Sequence, residues 1–104
     1  MKAISVVTVH EYLRGIFYLY VDTPKLLDKL KRAEAELRAF EIIPYTYEVA
    51  YKAAEVDAML VKKGRVLSFP DVAIAATALH HNLILVTRNV KHFQDIPGLK
   101  VESY

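Results

Sequence analysis

LSFPDVAIAATALHHNLILVTRN, residues 67–89, reads as a turn, a buried helix and a strand whose polar residues gather at the ends. Ser68 offers a side-chain oxygen to open amides, Pro70 presets φ, and Asp71 puts an anion at the positive end of a helix that therefore begins near Asp71. From Val72 to Leu79 only Thr77 is polar, a pattern with no solvated face, so this helix lies between other layers. Asn82 suits a left-handed terminator. Leu83 to Val86 (LILV) is the apolar run of a strand covered on both faces, with Thr87, Arg88 and Asn89 at its carboxyl end.

Outward from this stretch, helices and strands alternate. Upstream, Thr46 caps a helix with Val49, Ala50, Ala53, Val56 and Leu60 on one face, closed by Lys62, Lys63 and Gly64. Before it, Phe40 to Tyr45 is a short edge strand with Pro44 near its end. Thr23-Pro24 repeats the cap-then-proline signal and opens a helix to about Ala39, with Leu26, Leu30, Ala33 and Leu37 aligned. At the start, the strand Ile4 to Val7 passes directly into a helix over Val9–Tyr20, Thr8 capping and Glu11 reaching back. That helix carries more apolar surface than one core-facing stripe requires, notably around Phe17 to Tyr20. Downstream, Val90 to Gly98 is a turn of helix and a loop, and Leu99 to Ser103 a last strand. The expected class is α/β: a doubly wound, mostly parallel sheet in one domain over residues 1–104.

Composition narrows the function classes only a little. A net charge of +2 permits nucleic acid as a partner without demanding it. With no cysteine there is neither a disulfide framework nor a thiolate metal site, which points to the cytoplasm. The first residues form no secretory signal, and nothing approaches the roughly 20 apolar residues of a membrane helix.

In a doubly wound sheet, helix starts and strand ends share the edge where ligands bind, and Glu11, Asp71 and Asn89 meet that rule. Two carboxylates in one cleft repel each other unless a cation lies between them. Two carboxylates and an amide oxygen suit Mg²⁺ or Mn²⁺, with positions left for a phosphate oxygen and a water. Spacing alone leaves a second role open, because Glu11 and Asp71 both occupy the third position of a capping box, where an acid is commonly structural. His10, His80, His81 and His92 lack a tight metal-binding spacing, so surface or helix-end roles are expected for them. Lys62, Lys63, Arg65, Arg88 and Lys91 suit a nucleic-acid backbone, and the helix dipole explains the first two equally well. A phospho-acceptor receiver domain would need an acidic cluster after its first strand and an Asp after its third, and neither is present.

At these residues the chain resembles the PIN domain family of metal-dependent ribonucleases, which includes the VapC toxins of prokaryotic toxin–antitoxin pairs. ISVVTVHEYLRG is similar to the family's strand and helix with an acidic Glu, GRVLSFPDVAIAATAL to the segment with its later Asp, LILVTRNVKHF to the next strand, and PGLKVESY to the closing one. The resemblance implies a three-layer α/β/α domain with Glu11 and Asp71 as metal ligands. Asn89 stands at the fourth ligand position, supported by Thr87. In the family pattern a metal-activated water attacks an RNA phosphodiester in line.

The chain departs from that pattern at its beginning, where a strand ending in Asp would lie beside LILV. Its lack predicts impaired activity and a sheet repaired by direct closure or by a second copy of the chain, with the apolar surface around Phe17 to Tyr20 favouring a homodimer. The rival expectation is a non-catalytic module that self-associates or binds an antitoxin-like partner.

Overall fold

The computed structural model describes residues 2–103; Met1 and Tyr104, the two ends of the expected domain, lie outside the described residues. The elements run strand, two helices, strand, two helices, strand, short helix, strand, and they gather into two compact units, Met1–Pro44 and Tyr45–Tyr104.

In the first unit strand β1 (Lys2–Ser5) passes without a loop into helix α1 (Val6–Tyr20). The expected boundary, with Thr8 as the cap, lies later than the observed one. Ser5 caps instead: its backbone is extended at φ −70 and ψ 144, and its Oγ accepts the Val7 amide at 3.0 Å. Serine is among the best capping residues, and β-branched Val6 and Val7 carry only a small helix penalty. The box between Thr8 and Glu11 therefore does not form. Glu11 lies past the first turn of α1, exposed, with its carboxylate not engaged in capping.

Helix α2 (Leu26–Leu37) starts two residues beyond Pro24, and Lys25 at its cap makes no side-chain capping bond. Thr23 is used in the preceding turn: its hydroxyl donates to the Tyr20 carbonyl at 2.8 Å and accepts the Lys25 amide at 3.3 Å. Asp22 turns the chain there with a φ of 63, a conformation Asp tolerates better than most residues. The expected α2 stripe holds, with Ala33 buried and Leu26, Leu30 and Leu37 half-buried. Tyr12 ties α1 to α2 by donating to Glu36 Oε2 at 2.5 Å, and that bond to a carboxylate holds the phenol pKa above its ordinary value. Strand β2 (Phe40–Ile43) pairs in parallel with β1, Ile4 opposite Ile42 and Ser5 opposite Ile43. It stops before Pro44, which has no amide to add to a ladder.

In the second unit helix α3 (Tyr47–Lys62) begins as expected, with Thr46 Oγ1 accepting the Val49 amide at 3.3 Å. It buries Val49, Ala53, Val56 and Leu60 against helix α4 (Phe69–His80). The small side chains of Ala73, Ala75, Ala76 and Ala78 let α4 come close and bury its flanks together, which is why its sequence shows no polar face. Thr77, a buried polar residue of α4, satisfies itself by donating to the Ala73 carbonyl at 2.7 Å. Past the C-terminus of α4, Asn82 takes the left-handed conformation at φ 53, and the Leu83 amide reaches back to Ala78 O at 2.8 Å.

Strand β3 (Ile84–Val86) pairs in parallel with β4 (Lys100–Glu102) across the short helix α5 (Val90–Phe93). Leu85 packs on the core with Phe93 and Ile96, whereas Ile84 and Val86 are 51% and 52% exposed. The expectation that both faces of LILV are covered is thus corrected. Successive side chains of a strand point to opposite faces, and here one face meets the helical core. A uniformly apolar run cannot distinguish that arrangement from burial on both faces.

Candidate functional site

Asp71 is the third residue of α4 and stands half-buried at the helix head. Ser68, extended at φ −63 and ψ 157, caps the helix by accepting the Asp71 amide on Oγ at 3.4 Å. The same hydroxyl donates to Asp71 Oδ2 at 3.0 Å. Serine thus serves both partners, and the helix dipole favours the anion at this position.

His92 is the residue that sequence reasoning missed. Its Nε2 lies 2.9 Å from Asp71 Oδ2. The available signal was its position three residues after Asn89, since a single helical turn after a strand end brings a side chain back toward that edge. The ring is fixed from behind by Phe93, edge to face at 5.1 Å and 89°, and Phe93 belongs to the core. Arg65, in the loop after α3, donates through Nη2 to the His92 carbonyl at 3.1 Å and through Nη1 to Asp95. That guanidinium holds the Asp95 carboxyl below the usual carboxylate range, mainly by its hydrogen bond and secondarily by its charge. The sequence suggests a phosphate-gripping role for Arg65; in the structure its donors are engaged in bracing α5.

Asn89 caps α5 with φ −102 and ψ 56, and its side chain makes no capping bond. Its amide donates to Thr87 Oγ1 at 3.1 Å, so Thr87 does support this loop, and its carbonyl accepts the His92 amide at 3.0 Å. The second unit therefore brings Asp71 and His92 into contact and connects Asn89 to His92 through the backbone. Glu11 belongs to the first unit. Among the described residues, neither unit by itself gathers three His, Cys, Asp or Glu side chains into a cluster able to hold a metal. No described helix is long and apolar enough to cross a membrane.

The chain belongs to the PIN domain family, which residues 2–99 match. It is 35% identical to a VapC ribonuclease of Pyrococcus furiosus over 88% of its own length and 57% of that relative's. It is 31% identical to ribonuclease VapC1 of Methanocaldococcus jannaschii over 96% of its own length and 69% of that one's. A solved structure of VapBC2 from Rickettsia felis, bound to a DNA fragment from their promoter, is similar with a TM-score of 0.87 at 28% identity, covering 98% of this chain and 74% of that one. This chain thus spans little more than half the length of the Pyrococcus relative. The family resemblance read from the sequence holds, and so does the α/β class with helices and parallel strands.

Proposed function

We propose that the chain acts as a VapC-like toxin ribonuclease, hydrolysing RNA phosphodiester bonds with a divalent cation, Mg²⁺ or Mn²⁺, held by Glu11, Asp71 and Asn89. The observation that carries the reading is the Asp71 carboxylate: half-buried at a helix head, with both of its described side-chain hydrogen bonds on Oδ2, it offers Oδ1 to a ligand. Glu11 supports it, because its carboxylate is not consumed in capping α1. The donor set is all oxygen, which fits a hard cation.

When bound, such a cation offsets charge on the phosphate and lowers the pKa of water. The chain's own residues hold and orient: Asp71 and Glu11 contribute charge, Asn89 a neutral oxygen, and Thr87 the fixed loop that carries Asn89. RNA is the substrate class, an antitoxin-like protein the partner, and the cytoplasm the place of action.

A second reading, a non-catalytic module that pairs with a copy of itself or with an antitoxin-like protein, draws support from the apolar surface of α1, where Leu19 is 74% exposed beside exposed Phe17 and Tyr18. A manganese titration by calorimetry separates the two. The enzyme reading expects binding that Asp71→Ala abolishes; no binding, or binding indifferent to that substitution, leaves the module reading.

A further inference from the structure

Resting on the reading that Asp71 holds the cation, we propose that His92 is a positioning residue that, together with Ser68, grips Asp71 by Oδ2 and presents Oδ1 to the ion. An ionised carboxylate only accepts hydrogen bonds, so the 2.9 Å contact requires the imidazole to donate from Nε2. Ser68 Oγ donates to the same oxygen at 3.0 Å. Two donors on one oxygen fix the rotation of the carboxyl group before any ligand arrives, and the other oxygen is left as the ligand atom. This is how outer partners commonly tune a metal carboxylate.

The ring that makes this contact is itself held. Phe93 packs against it edge to face and is anchored in the core. The backbone of His92 is pinned by Arg65 at 3.1 Å, and Arg65 is in turn tied to Asp95. Two pieces of the second unit thus meet at Oδ2 of Asp71, the head of α4 and the helix α5, and Arg65 from the loop after α3 braces α5 through the His92 carbonyl. A histidine serving only to tie α5 to α4 would affect stability and leave metal affinity alone.

The test titrates Mn²⁺ into the full chain by calorimetry and records a melting temperature for each variant. Asp71→Ala abolishes binding. His92→Ala weakens it by about 10–100-fold, the range usual for loss of an outer partner. His92→Gln, whose amide nitrogen can reach the same oxygen, recovers most of that loss. If His92→Ala melts below the titration temperature, His92→Leu, which keeps bulk against Phe93, replaces it with the same expected loss. Affinity unchanged in the His92→Ala or His92→Leu chain, while Asp71→Ala abolishes binding, overturns the role of His92 and leaves that of Asp71 standing. Absent binding in the unsubstituted chain, or binding indifferent to Asp71→Ala, overturns both.

Discussion

Ser5 Oγ accepts the amide of Val7 at 3.0 Å, and this one hydrogen bond decides what Glu11 has left to do. With the cap at Ser5, helix α1 has no acid in its first turn, and Glu11 is not needed to start it. Ser5→Ala should therefore cost about 1 kcal/mol, as loss of an N-cap does. Thr8→Ala and Glu11→Gln should each stay within about 0.5 kcal/mol of the parent. Urea denaturation measures all three; a larger loss at Thr8 than at Ser5 would contradict the observed boundary.

The pair Arg65–Asp95 gives a pH dependence with a definite sign. Arg65 depresses the Asp95 pKa in the folded chain. The pair's contribution is therefore complete above the unfolded carboxylate value near ~3.9 and is lost as pH falls through the lower folded value. The melting-temperature gap between the parent and Asp95→Asn should be largest near neutrality and close in acid. A gap that stays constant from neutral pH to pH ~3 would show that the ion pair is not its source.

Leu60 is fully buried between α3 and the rest of its core, whereas Leu27 on α2 is 65% exposed. Leu60→Ala should cost about 2–5 kcal/mol through lost contacts and the cavity left behind. Leu27→Ala should change stability by less than about 0.5 kcal/mol. Chemical denaturation of the two variants would reveal a misplaced core if their order were reversed.

Gly64 and Asn82 end α3 and α4 with φ of 77 and 53. Around Gly64 an added Cβ meets nothing within 4 Å, so any penalty there comes from the backbone alone. Gly64→Ala should cost about 1 kcal/mol, the left-handed penalty of an ordinary residue. Asn82→Gly should stay within about 0.5 kcal/mol, since glycine accepts the same conformation freely. Thermal melts read both, and a neutral Gly64→Ala would place the end of α3 elsewhere.

Local signals account for what the sequence made legible. Thr46, Gly64, Ser68 and Asn82 each act through their own side chain or φ, and each ends or starts the helix expected of it. The misplacements came from competition between neighbours. Ser5 and Thr8 are both good caps three residues apart, and the bond that forms is the one at Ser5. Thr23 and Lys25 divided the turn before α2 in a way no propensity distinguishes. The exposure of Ile84 and Val86 depends on which layers meet β3, which alternation alone cannot reveal in an all-apolar run. Asp71 was legible from the run Ser68-Phe69-Pro70-Asp71. The contact with His92, 21 residues away, depends on how α5 docks, and Arg65 as its brace comes from 27 residues before it.

If Asp71 works in metal-dependent cleavage of RNA, as proposed, cleavage must follow both the metal and that side chain. Incubating single-stranded RNA with the full chain in Mn²⁺, in EDTA, and in EDTA followed by excess Mn²⁺, beside an Asp71→Ala control, tests it most directly. Cleavage is expected in Mn²⁺, none in EDTA, recovery on restoring the metal, and none by Asp71→Ala under any condition. Cleavage that survives EDTA, or that Asp71→Ala matches, or no cleavage at all by the parent chain, would contradict it.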